Sequence, residues 1–355
     1  MRHLGYGTKK TGFSFEHYNF YDSLVKMNHG SNEVVYFPFD ELLEKLGKEK
    51  MNEELIRRAM ELKPDLCFFF LSRDEIKQST LTKLSNMGLT TFNWFADDHW
   101  RFEVFSKHYA KYFSFVSTTD IKSIPKYQKM GYKKVIKTQW GCNNFLYKPM
   151  RSNKNYDVTF VGQKYGERGV HIDAVRDSGI DVKCWGYGWE AGRISQSKML
   201  GVFSHSKINI NFSTSSPAWS TAPLRDLGAV LFRKEVDGTY RFNPIERWIP
   251  SIKLLLFKRH RPQIKGRVFE VPGCDGFLLT EMADDIQSYY KIGKEISVFK
   301  DEKELLENIA YYLNNKKERM KVAHAGYKRT IREHTYECRF NELFKKMGLN
   351  GTSQF

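Results

Sequence analysis

Three short stretches carry residue types that could do chemistry together. In "IKGRVFEVPGCDGFLLTE" (264–281) a carboxylate, Glu270, stands between Phe269 and Val271, shortly after Lys265 and Arg267. In "FVGQKYGERG" (160–169) a strand-like run breaks at Gly162 and leads into a helix start carrying Arg168. In "NWFADDHW" (93–100) a buried-looking strand ends on Asp97, Asp98 and His99. A carboxylate at the carboxyl edge of an α/β sheet accepts hydrogen bonds from the 2′ and 3′ hydroxyls of a ribose. Free N–H groups at a helix start, reinforced by a guanidinium, hold phosphate. A carboxylate or an imidazole of near-neutral pKa takes the proton of a hydroxyl nucleophile.

Each stretch also has a plain structural alternative. Glu270 could be buried and paired with Arg267 or Lys265. Breaks of the strand–glycine–helix type occur in most α/β proteins. Asp97 could cap the following helix while Asp98 pairs with Arg101. Two glycine turns are open in the same way: "WGYGW" (185–189), with Gly186 and Gly188, and "GYGTKKTG" (5–12), with Gly7 and Gly12. The latter could bring its backbone to donor phosphates or to an acceptor, or be an ordinary turn.

The elements that would position these residues alternate. Unbroken hydrophobic runs at 33–39, 65–71, 89–95, 112–119 and 133–140 predict strands buried on both faces. Helical patterns lie between them, and Gly88 and Gly131 follow two of these where a left-handed residue is expected. "CNNFLYKPMRSNKNY" (142–156) is polar, contains Pro149 and reads as a linker. The alternation restarts with strands at 156–162, 181–186 and 207–211, "GFLLTE" and 295–299, and closes with helices at about 316–333 and 335–347. Strands alternating with helices imply doubly wound parallel sheets, and two such halves face each other across a cleft. Residues 213–262 have no clean period. From Arg247 to Phe269 there is no acid against seven Lys/Arg, which is either a solvated basic face or a contact surface for phosphate or an acidic acceptor.

At 355 residues the chain exceeds the size at which one core keeps growing, so two domains are expected. Net charge +16 favours acidic partners such as sugar nucleotides, phosphate-rich polymers, anionic membranes or nucleic acid. The five cysteines (67, 142, 184, 274, 338) show neither CxxC nor Cys/His ligand spacing, which argues against a disulfide framework or a zinc site. No apolar leader follows Met1, and the longest apolar runs (66–71 and 252–257) are too short to span a bilayer. These features predict a soluble, cytoplasmic chain.

The order "VTFVGQKYGERG … VKCWGYGW … SKININ … KGRVFEVPGCDGFLLTE … YYKIGKEISVF … HTY" resembles the CgeB-type (spore maturation protein-like) glycosyltransferases, relatives of the GT-B retaining enzymes. "NFYDSLVKM", "KPDLCFFFLSRDEI", "FNWFADDHWRF" and "TQWGC" agree in the first half, so the likeness covers nearly the whole chain. The resemblance implies the GT-B fold: a Rossmann-like domain at 1–148 on the acceptor side, a second at 149–333 on the donor side, and a segment 334–355 returning to the first. By the same resemblance Glu270 matches the ribose-binding glutamate and Arg168 the basic residue facing the donor diphosphate. Lys265 and Arg267 lie close enough to assist, and Gly276 falls in the donor-side glycine pattern. Two departures stand out: Asp275 replaces the first glycine of the usual Cys-Gly-Gly-Phe, and Pro262 stands where relatives often carry a second glutamate.

The expected function is therefore transfer of a sugar from a nucleoside diphosphate, UDP favoured, to a hydroxyl acceptor that is acidic or lies at an anionic membrane surface. Asp97, Asp98 and His99 are the candidates for catalysis. No metal and no cofactor beyond the nucleotide-sugar co-substrate are expected, because basic side chains and helix N-termini neutralise such donors. Two other readings remain: a non-catalytic binding or assembly module of spore or envelope, and a nucleic-acid binder using the 247–267 stretch. No RRM, KH or helix-turn-helix pattern supports the last.

Overall fold

The computed structural model describes residues 12–150, 153–214, 228, 230–235, 238–257 and 262–349. Two parallel sheets organise them. The first holds β1 (Cys67–Phe69), β2 (Thr91–Phe95), β3 (Phe115–Thr118) and β4 (Val135–Lys137), side by side in chain order. Every residue of β2 is buried, as its unbroken hydrophobicity requires: Phe95 packs into one layer with Phe69 and Val116, and Phe92 and Trp94 into the opposite layer. The stretch 33–38 forms no strand; an extended run there holds Val35 half exposed and enters the helix Phe39–Leu62 after Pro38. Among the described residues this sheet runs in one direction only.

The second sheet contains β5 (Tyr156–Val161), β6 (Val182–Trp185), β7 (Ser206–Asn211), β10 (Leu278–Glu281) and β11 (Ser297–Phe299), ordered β11-β10-β7-β5-β6. The winding reverses between β5 and β7. The loops after these two strands therefore diverge to opposite faces and leave a crevice at their carboxyl ends, where open α/β sheets take ligands. An antiparallel hairpin, β8 (Phe232–Lys234) and β9 (Tyr240–Phe242), and the helix Ile245–Phe257 occupy the region without a clean period.

Two features tie the halves together. The linker is not a free tether, since Tyr147 is 1% exposed and packs with Phe269 and Phe203. The last helix, Tyr336–Met347, is capped by Thr335, whose hydroxyl accepts from the Cys338 N–H at 3.1 Å. Its Tyr336, Phe340 and Leu343, at helical spacing, bury against Phe20, Trp94 and Ile136 of the first half. Burial of this kind contributes about 1.5–3 kcal/mol per large side chain. None of the described helices is long and apolar enough to cross a membrane.

Candidate active site

The crevice begins where the loops after β5 and β6 meet. The Gly162 N–H donates to the Trp185 carbonyl (2.8 Å), the Trp189 indole donates to the Gly162 carbonyl (2.9 Å), and the Lys164 N–H donates to the Tyr187 carbonyl (2.9 Å). Gly186 sits at φ +139°, and a Cβ there would come 2.1 Å from the Gly162 oxygen. Gly162 and Gly186 are thus needed for the close approach of two backbones, with their own N–H groups spent inside the protein. The expectation that the break at Gly162 and the turn at Gly186 and Gly188 touch the donor therefore rests on other groups than the N–H groups of Gly162 and Gly186. Gly188, at φ +87°, packs over Lys164 in the same contact.

Arg168 opens the helix Arg168–Asp177 at the carboxyl end of β5. Its Nη1 donates to the Gln163 carbonyl and its Nη2 to the Thr214 carbonyl, both at 3.1 Å, while Nε is buried without a partner. Thr214 is itself held. Glu281, the last residue of β10, accepts from the Ser213 N–H (2.8 Å) and the Thr214 N–H (2.7 Å). Glu281 is a positioning residue that sequence reasoning passed over; its one signal is a carboxylate at the carboxyl end of a parallel strand.

Lys265 comes to the same place from the other side of the crevice. Burial lowers its pKa from the ordinary lysine value; Asp97 opposes that shift, Arg168 adds to it, and Glu281 opposes it. Lys265 therefore feels the Asp97 carboxylate of the first half together with Arg168 and Glu281 of the second. Gln263 bridges the halves directly, its amide nitrogen donating to the Ala96 carbonyl (2.8 Å) and to the Thr119 hydroxyl (2.9 Å).

Glu270 lies on a short helix, Arg267–Gly273, in the hydrophobic stretch that the sequence leaves undivided between strand and loop. Its residues are apolar apart from Arg267 and Glu270 and include Pro272, so no helical period shows. The structure shows the alternative of a buried pair and corrects the expectation of a carboxylate facing an open cleft: Glu270 is 0% exposed and ion-paired with Arg267 through Oε2. Oε1 has no hydrogen-bond partner. It lies against Gly266, where a Cβ would come 3.3 Å from it and 3.4 Å from the Phe15 ring. Arg267 also donates from Nε to the Val161 carbonyl (3.4 Å), which sets the helix start at the carboxyl end of β5. An unpartnered buried carboxylate oxygen costs roughly 1–3 kcal/mol or more unless a ligand fills it. Phe15 follows closely on Gly12, itself at φ +79°; Gly7 lies outside the described residues.

On the acceptor side the three candidates part company. Asp97 ends β2 half-buried, its carbonyl accepting from the Trp100 and Arg101 N–H groups while its side chain makes no capping bond. His99 is half-buried and lines the narrow interdomain crevice with Asp120, Gln139, Gln263 and Asp284. Asp98 turns inward. It is 0% exposed and accepts from the Ser106 hydroxyl (2.5 Å) and the Tyr127 hydroxyl (2.7 Å), and burial raises its pKa. That corrects the expectation of a catalytic role: Asp98 closes the core of the first half, and Arg101 reaches the Ser72 carbonyl instead of pairing with it. Asp98→Ala should lower stability by about 2–4 kcal/mol, because it strands the buried Tyr127 hydroxyl. Urea unfolding measures that loss, and donor turnover per folded molecule should stay within about threefold of wild type.

Gly276 is a further correction. It precedes β10 at the amino edge of the sheet, away from the crevice, and a Cβ there would meet the Phe203 carbonyl at 2.7 Å. Asp275 does adopt the left-handed conformation expected of the usual glycine (φ +55°), and its carboxylate lies 3.6 Å from His324 on the helix Lys316–Glu333. It cannot repel a diphosphate held at the opposite edge.

Comparison with known proteins bears on the fold that carries these residues. A family described as glycosyl transferase-like matches residues 239–345. Spore protein CgeB of Bacillus subtilis (strain 168) is 21% identical over 291 residues, covering 81% of this chain and 84% of that protein. Among solved structures, Anabaena HepE in complex with UDP and glucose superposes with TM-score 0.55 at 11% identity, covering 92% of this chain and 89% of HepE. Sucrose-phosphate synthase of Thermosynechococcus elongatus gives TM-score 0.53 at 8% identity, with 91% and 82% covered. The shared architecture is GT-B, two Rossmann-like halves about a cleft.

Proposed function

We propose that this chain, a CgeB-like glycosyltransferase of the GT-B fold, moves a sugar from a UDP-sugar to a hydroxyl acceptor in the crevice between Lys265 and Asp97. The observation that supports the reading is the Glu270 carboxylate, fully buried with one oxygen on Arg267 and the other without a partner. In this reading Oε1 accepts from the ribose 2′ and 3′ hydroxyls once Phe15 gives way. Arg168 and Lys265 take the diphosphate, with the N–H groups at the start of the helix Arg168–Asp177 beside them.

Transfer breaks the bond between the sugar C1 and the phosphate oxygen and forms one between C1 and the acceptor oxygen. Charge accumulates on the leaving diphosphate, so cations placed there before reaction stabilise the transition state more than the ground state. The acceptor hydroxyl loses its proton, which in this reading passes to Asp97 or His99 of the first half, both half-buried, or to the leaving diphosphate. Net charge +16 favours an acidic acceptor, or one displayed at an anionic membrane surface, in a cytoplasmic setting.

The test is a panel of UDP-, GDP- and dTDP-sugars scored for slow donor hydrolysis and for nucleotide-induced thermal stabilisation. A UDP-sugar should be hydrolysed to UDP, and UDP should raise the unfolding temperature. Silence across the panel by both measures would overturn the reading and favour a non-catalytic assembly module.

A further inference from the structure

The region that lacked a sequence period forms an apolar face that no other described residue covers. Phe232 and Phe242 pair across the β8–β9 hairpin with ring centroids 5.4 Å apart, yet they remain 45% and 55% exposed. The face continues onto the helix Ile245–Phe257, where Ile245, Ile249 and Ile252 are 71%, 65% and 42% exposed. Their spacing of four and three residues puts them on one side of that helix.

The underside is anchored, so the exposure belongs to a built surface. Trp248 packs edge-on against Phe242 (5.4 Å) and donates to the Asn243 carbonyl at 2.8 Å. Asn243 is buried and donates to the Val230 carbonyl at 2.8 Å. Glu235, 3% exposed, pairs with Arg233 of the hairpin at 2.5 Å and with Lys48 of the first half at 3.4 Å. Isolated exposed isoleucines are ordinary, whereas five contiguous large apolar side chains on an anchored hairpin and helix mark a contact surface.

The charge of this stretch of the sequence names the occupant. Between Gly238 and Gln263 the sequence carries six Lys/Arg (241, 247, 253, 258, 259, 261) against one acid, Glu246. An apolar face in so basic a stretch of sequence, with Arg241 exposed next to Phe242, suits the headgroup region of an anionic bilayer, with the rings and branched chains entering the acyl boundary and the cations meeting phosphates. We infer that the β8–β9 hairpin and the helix Ile245–Phe257 form a peripheral docking surface for an anionic lipid bilayer. The inference deepens the proposed reading of an acceptor at an anionic surface. Gln263 and Lys265 follow Phe257, the end of this face's helix, by only six and eight residues in sequence, so docking would bring them close to acceptors displayed on the membrane.

The test is flotation of the full chain with vesicles of phosphatidylcholine alone and of phosphatidylcholine containing phosphatidylglycerol, each at low and high salt. The chain should float with the anionic vesicles at low salt and much less with the neutral ones. The double variant Ile245→Asp, Ile249→Asp, at the two most exposed positions of the face, should reduce the bound fraction about tenfold or more, leaving the thermal midpoint and UDP-sugar hydrolysis in solution unchanged. Absence of flotation, equal binding to both vesicle types, or a variant that floats like wild type would overturn the inference. So would a dimer in sedimentation that the double variant dissociates while neither protein floats, since the face would then join two copies. Solution hydrolysis is read separately, so failure here leaves the donor reading standing, and failure of donor turnover leaves this one standing.

Discussion

Glu270→Gln is expected to lower kcat/KM for donor hydrolysis roughly 10- to 100-fold, with the loss surviving correction for unfolded protein. The substitution keeps the shape of the side chain and removes its charge. Hydrogen bonds from ribose hydroxyls to a carboxylate are charge-assisted, and losing them costs about 1.5–3 kcal/mol. Arg267 loses its anion at the same time. Breaking a buried pair by removing one partner costs roughly 3–5 kcal/mol; the cost here should fall below that range, because the Arg267 side chain keeps 28% of its surface in solvent. Urea unfolding separates the two effects. Adding Arg267→Met to the Glu270→Gln variant should recover part of the stability and none of the turnover. Wild-type turnover in folded Glu270→Gln would remove Glu270 from the site.

Lys265 should give the largest effect on the chemical step. Lys265→Ala removes a cation poised beside the leaving diphosphate, and losses of about 100- to 1,000-fold in kcat are usual for such groups. Its titration offers a second readout. Burial lowers the Lys265 pKa, so the ammonium gives up its proton at lower pH than an ordinary lysine. The protonated form is the active one, and kcat/KM should therefore fall as pH rises through the lowered pKa. Lys265→Arg, whose guanidinium stays charged, should erase that alkaline limb while keeping much of the rate. A bound diphosphate raises the lysine pKa again, so the limb in kcat should lie at higher pH than the limb in kcat/KM. The sign for stability follows: between the lowered pKa and the ordinary lysine value the unfolded chain binds more protons, so this group makes the free protein more stable as pH rises there. An alkaline limb unchanged in Lys265→Arg would assign it to another group.

Much of the scaffold was legible because its periods are strong. The helix Lys316–Glu333 matches the pattern read from the sequence, and Gly88 and Gly131 take left-handed φ angles of 78° and 80° after their helices. What escaped was short or contradictory. A seven-residue helix with an internal proline reads as a loop or a strand, and that is where Glu270 sits. Hairpin strands of three residues leave no alternation to detect, and Pro250 interrupts the helix that follows them. In the Asp97-Asp98-His99 run, three successive residues at a helix start point in three directions. Which of them faces the cleft depends on the phase of that helix, set by packing against Ser106 and Tyr127, partners many residues away. Arg168 and Lys265 were recognisable by type and position. The network that steadies Arg168, through Thr214 to Glu281, is tertiary and has no local signature.

The central claim, that the free oxygen of Glu270 receives a ribose hydroxyl, is tested most directly by a binding cycle. UDP and 2′-deoxy-UDP would be titrated calorimetrically into wild type and Glu270→Gln. Wild type should prefer UDP by about tenfold or more, and the variant should bind the two nucleotides with nearly equal affinity. Undiminished preference for UDP in the folded variant would contradict the account.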